Sequence, residues 1–161
     1  MNMRLTARSF DGLSDQVGVT LKFSDAMIQE WAISLDIVRL ARFIVSGCIG
    51  RREEAERVRQ WIRETIEYRH DPAGHEMLQD PMVTLSERAG DCDDMTVLAG
   101  ALLAAIGHEC YAVGVRWVGE DDPSHEVLFD ETAGCVVDAV SPLSIDNWPP
   151  ESFRVAEFVR S

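Results

Sequence analysis

Apolar and polar residues alternate between Val17 and Phe23: Val17, Val19, Leu21 and Phe23 are apolar, and Gly18, Thr20 and Lys22 lie between them. A period of two predicts a half-buried strand there. The period then changes. Ile37, Leu40, Ala41, Ile44 and Val45 fall at helical spacing, with Ser34 placed as the cap and Gly47 as the stop. Residues 25–33 fit either an extension of this helix or a separate turn. A second helix is predicted from about Arg52 to Tyr68. Its stripe is Ala55, Val58, Trp61, Ile62, Thr65 and Ile66, and its other positions are nearly all Arg, Glu or Gln. That pattern describes a helix laid on a core with a solvated outer face.

Periodicity breaks at Asp71-Pro72, Gly74 and Asp80-Pro81, which predicts a long loop over 69–90 with one short helical turn. Loops of this length in compact domains are often functional. A third helix is predicted from Cys92 to about Ile106, ending at Gly107. Three strand-like runs follow, Glu109–Val118, His125–Asp130 and Cys135–Val140, separated by turn residues. The tail holds Pro142, Pro149 and Pro150 and reads as irregular, with a short helix after Glu151. Helices followed by an antiparallel meander make an α+β order. The expected organisation is one domain over 1–161, with a core at about 34–140 and an irregular tail at 141–161.

Composition then removes function classes. There are 28 acidic and 15 basic residues, a net charge of −13, and Lys22 is the only lysine. Such a chain lacks the basic face that nucleic acid or an anionic membrane requires. Cys48, Cys92, Cys110 and Cys135 form no CxxC pair, so neither a zinc knuckle nor a dithiol motif is indicated. His70 and His75, near Asp71, Glu76 and Asp80, match no ligand spacing, and no metal is expected. Met1–Phe10 has no apolar signal core and no long apolar run exists, which predicts a cytoplasmic protein with reduced thiols.

Chemistry concentrates in Ala89-Gly90-Asp91-Cys92-Asp93-Asp94-Met95. Gly90 permits a close approach of the chain, and Asp91 with Asp94 has the spacing of a capping box. Cys92 begins the helix and shares a stripe with Met95, Ala99, Leu102, Leu103 and Ile106. The helix dipole favours a thiolate there by about 0.3–1 kcal/mol. Three adjacent carboxylates oppose it, so a nucleophilic Cys92 needs a cationic partner, an imidazolium. Taken alone, such a cysteine is more often an inert core residue. His125 and Asp138 change this reading. They lie on successive strand runs that a short turn can set side by side. Cys92 would then attack, His125 take the proton, and Asp138 fix the imidazole.

Gly90-Asp91-Cys92-Asp93-Asp94, an Ala/Leu-rich helix, His125, and Val137-Asp138-Ala139 together resemble the core of the transglutaminase-like superfamily. The upstream Trp61–Tyr68 block, Asp71-Pro72 and Gln79-Asp80-Pro81 are similar to its small bacterial and phage-borne members. The resemblance implies a papain-like α+β fold, with a nucleophile-bearing helix on an antiparallel sheet and Cys92, His125 and Asp138 as nucleophile, base and orienter. It implies a thioester formed from a peptide or protein amide, with no cofactor. Water as acceptor makes a cysteine peptidase or amidase, the outcome favoured here; an amine makes a transglutaminase. Relatives often carry a Trp near the aspartate, where this chain has Gly134-Cys135-Val136. Donors for the oxyanion are expected from the Cys92 amide and from Gln79, with Trp61 behind it. The alternative is a non-catalytic binding or phage-assembly accessory module on the same fold.

Overall fold

Residues read as a strand from their alternation are helical. The computed structural model describes residues 15–72, 77–149 and 155–160. Its first element is α1, Asp15–Trp31. Leu21, Ser24 and Ile28 form the buried face of α1, while Val19 is 49% and Phe23 60% exposed. The alternating apolar residues therefore fall on opposite sides of a helix. The helical repeat running Leu21–Ser24–Ile28 was hidden because its middle member is a serine. Residues 25–31 belong to this helix, separate from the next one.

Helices α2 (Leu35–Ile44) and α3 (Arg51–Thr65) bury the expected stripes, Ile37, Ala41 and Ile44 on one and Ala55, Val58 and Ile62 on the other. The predicted C-terminal turn of α3 is instead a two-residue strand, β1 (Glu67–Tyr68), paired in parallel with β2 (Ala89–Gly90). The loop between them holds α4 (Pro81–Glu87), whose N-cap Asp80 accepts the amides of Met82 and Val83. His75 and Glu76 lie outside the described residues.

Helix α5 (Cys92–Ala104) is buried on nearly every side, not along one stripe. Gly100 explains how α1 and the sheet close on it together. A Cβ there would sit 2.5 Å from Ile28 Cδ1 and 3.0 Å from Leu128 Cδ1. The sheet is antiparallel in the order β5-β4-β3-β6, with β3 Cys110–Trp117, β4 His125–Asp130, β5 Cys135–Val137 and β6 Val155–Val159. The tail thus contributes an edge strand where a helix was expected; residues 150–154 lie outside the described ones. Strand β5 stops three residues early because the Asp138 carboxylate accepts the amides of Val140 and Ser141, which closes a turn. One sheet face packs on α5 and α1; the other carries Val113, Val115, Val127 and Val136 under Trp117, Trp148 and Phe158.

A second histidine pairs with acids away from the cysteine. His108 is wholly buried, with Nδ1 2.6 Å from Asp130 Oδ2 and Nε2 3.0 Å from Glu54 Oε2. Burial pulls its pKa down, but hydrogen bonds to Asp130 and Glu54, and the Asp130 charge, prevail and hold it above 6.5. Burial pushes Glu54 up, and His108 with Arg51 overrules it, leaving Glu54 below its ordinary 4.5. The histidine's stabilising contribution is complete below about pH 6.5 and is lost as pH rises through the raised value; that of Glu54 is lost as pH falls through its lowered one. Urea midpoints of wild type and His108→Gln should therefore differ most near pH 6 and draw together as pH rises through the raised value. A difference that widens with pH would contradict the pairing.

Candidate functional site

The β1–β2 pair sets the start of α5. Tyr68 lies opposite Gly90 in the register, and the Arg69 amide donates to the Gly90 carbonyl at 2.9 Å. Gly90 must be a glycine, because a Cβ there would meet the Asp94 Cβ at 2.7 Å. Asp94 is the hub of this turn. Its Oδ2 accepts the Asp91 amide at 3.2 Å and its Oδ1 the Gln79 amide at 2.7 Å. The N3 carboxylate of the expected capping box thus also ties the long loop to the helix. Burial raises the Asp94 carboxyl to about 7, with the Gln79 amide working against that rise. Asp91, Asp93 and Asp94 bring carboxylate oxygens within 4.8 Å of one another, an all-oxygen set suited to hard cations. Both Asp94 oxygens are already engaged by main-chain amides.

Cys92, the first residue of α5, points its sulfur at the main chain of Glu126. Burial pushes the thiol up to about 12; the Glu126 amide lowers it in part, and Asp93 and Asp91 raise it further. The dipole of α5 is therefore outweighed, and the resting thiol keeps its proton.

His125 opens β4 and donates from Nε2 to Asp138 Oδ2 across 3.0 Å. The ring is stacked on Trp117, with centroids 6.2 Å apart. Asp138 also accepts the Trp148 indole N–H at 2.9 Å. Burial raises its carboxyl, but His125, the Trp148 indole and the Ser141 amide overcome this and hold it below 3.8. The imidazole and the carboxylate thus form a fixed pair. Nε2 is committed, and Nδ1 is the nitrogen left to accept a proton.

Cys92 and His125 line one cavity of about 240 Å³. Among the described residues no hydrogen bond joins the sulfur to the ring, whose Nε2 is turned to Asp138. Gln79 and Trp61 line no part of this cavity. Gln79 is held by its main chain, with Oε1 buried and unpartnered among the described residues, and Trp61 packs on the core.

Three contributors escaped the sequence reading. Trp148 comes from the proline-rich tail and donates its indole N–H to Asp138. Tyr68 stands close enough to Cys92 and the carboxylates that its phenol is pushed up to about 12, by burial first and then by Cys92. Arg59 is the third. It is 5% exposed, forms a two-pronged pair with Glu56, and donates at 3.0 Å to the Ser141 carbonyl in the turn behind Asp138. Glu56 in turn accepts the Ile145 amide, and Arg63 donates to the Val140 carbonyl. No periodicity signals a buried arginine on a charged helix face.

The family profile of the transglutaminase-like superfamily matches residues 38–148. The chain belongs to the transglutaminase-like superfamily. The matched segment contains the cysteine, the histidine–aspartate pair and the Trp148 donor. Two crystal structures share the superfamily fold seen here. One is a candidate protease from Parabacteroides distasonis ATCC 8503, 16% identical with a TM-score of 0.61, in which 89% of this chain covers 31% of that one. The other is a candidate cysteine protease from Cytophaga hutchinsonii, 17% identical with a TM-score of 0.57, in which 91% of this chain covers 50% of that one. The chain spans about a third and a half of these two proteins. A search of curated proteins returns no match. All four cysteines are free, and among the described residues no helix is long and apolar enough to cross a membrane.

Proposed function

We propose that this superfamily member is a cysteine peptidase or amidase acting through a thioester on Cys92. The observation that carries the reading is the His125–Asp138 pair opening on the cavity that Cys92 also lines. His125 Nδ1 takes the thiol proton as sulfur bonds to the amide carbon. The tetrahedral adduct collapses, the C–N bond breaks, and the amine leaves with that proton. Water then attacks the thioester, giving up a proton to His125; the acid departs and the thiol is restored. An amine in place of water would give transamidation. The main-chain amide of Cys92, at the start of α5, is the donor for the oxyanion.

A thiol near 12 relies on its base. Cys92 should react with iodoacetamide at neutral pH faster than Cys48, Cys110 and Cys135. His125→Ala should remove that advantage, and the residual Cys92 rate should then climb about tenfold per pH unit without a plateau below pH 9. Equal labelling of the four cysteines, measured by peptide mass spectrometry, would defeat the proposal.

A further inference from the structure

The mechanism makes no use of two acids in the same cavity, Asp93 and Glu126. Glu126 sits on the sheet face that packs against α5 and α1. It is 8% exposed, and its Oε1 has no hydrogen-bond partner among the described residues. Its cross-strand neighbour is Gly114, which has no side chain to fill the space opposite and itself lines the cavity. A Cβ at Gly114 would stand 3.3 Å from Pro123 and 3.7 Å from Leu21. The remaining space thus has apolar walls, Val17, Leu21 and Pro123, and an acidic lining, Asp93 and Glu126.

Among the described residues no cation pairs with either acid; Asp93 Oδ1 accepts the Asp94 amide at 2.8 Å. Burial lifts the Asp93 carboxyl to about 10, and Asp91, Glu126 and Asp94 reinforce the rise. Burial lifts Glu126 to about 8; the Ser24 hydroxyl eases this, while Asp25, Asp91 and Asp94 add to it. The strongest charges acting on each are carboxylates. Buried carboxyls without a counter-charge are costly to ionise, and a cation entering the cavity would offset that cost for both. A net charge of −13 draws cations toward the chain in general, and this cavity joins two buried acids to Cys92.

We propose that the cavity is the specificity pocket for a positively charged side chain, an arginine or lysine beside the amide bond that is cut, with Glu126 and Asp93 as its counter-charges. Naming a peptide rests on the peptidase reading above; the cation pocket itself does not. The aliphatic stem of such a side chain lies along Val17, Leu21 and Pro123, and its head meets the two carboxylates, which ionise as it docks.

Benzamidine, a flat cation, tests the pocket without turnover. Calorimetry should show it binding wild type at neutral pH, with neutral benzamide at least tenfold weaker. Glu126→Gln should weaken benzamidine at least tenfold. This variant is isosteric with the protonated acid, and Asp93→Asn provides a second reading if it fails to fold. Arginyl peptide amides should be cleaved at least tenfold faster than their citrulline counterparts in kcat/KM. Equal binding of benzamidine and benzamide, binding indifferent to both substitutions, or Ca²⁺ displacing benzamidine from the same residues would overturn the pocket. Charge-selective binding without privileged Cys92 labelling would leave the pocket standing and sink the peptidase reading. Privileged labelling without charge-selective binding would do the reverse.

Discussion

His125→Ala should lower kcat for amide hydrolysis by about 10³–10⁴, at the upper end of what a positioned general base supplies, and Cys92→Ala should leave no turnover above the uncatalysed rate. The large size follows from the state of the sulfur. At a pKa of about 12, only about one thiol in 10⁵ is ionised at pH 7. A free-standing thiolate therefore contributes little, and nearly all of the rate must come through proton removal by the ring. Asp138 acts through that ring by holding Nε2, so Asp138→Ala should cost less and should lower kcat with little change in KM. Circular dichroism and thermal unfolding of each variant would separate lost chemistry from lost structure. A His125→Ala protein that is folded and within threefold of wild-type kcat would refute the base assignment.

Arg59→Ala is expected to be the most damaging change outside the cavity. The guanidinium is 7% exposed at its side chain and its partner Glu56 30%. Truncation leaves Glu56 half-buried without its cation and the Ser141 carbonyl without its donor. Breaking a fully buried pair costs about 3–5 kcal/mol, and the partial exposure of Glu56 places this one nearer about 2–3 kcal/mol. For a chain of this size that lowers Tm by about 4–12 °C. The loss should also reach the site, because the released turn carries Asp138. Arg59→Lys should recover little, since an ammonium cannot make the fork to Glu56. Activity per folded molecule that stays at the wild-type level in Arg59→Ala would show the turn to be self-supporting.

The part of the site legible in the sequence is the part built from local rules. Gly90, the Asp94 cap and the apolar run after Cys92 announce a helix start. The runs at 109–118, 125–130 and 135–140 announce strands whose order brings His125 to Asp138. What escaped depends on tertiary contacts. The face of α1 hides a serine among apolar neighbours, so its helical repeat loses to an accidental alternation. Arg59 looks like any charged residue on a solvated helix, and only the turn at 139–146 reveals that this stretch of α3 is covered. Trp148 and β6 follow prolines that blur any period, and they are ordered by the sheet edge they join rather than by their own pattern. Glu126 alternates correctly on its strand; nothing local says that a small neighbour leaves its carboxyl facing empty space.

Helix α1 ends at Trp31, ahead of the matched segment at 38–148, yet Val17, Thr20 and Leu21 wall one side of the cavity. It is pinned by the notch at Gly100 and by Asp25, which accepts the Ala112 amide at 2.8 Å. The proposed relay and the wall of the cavity beside it are therefore separately editable. Substitutions along this one helix would retune preference over generations while the sulfur, ring and carboxylate stay as they are.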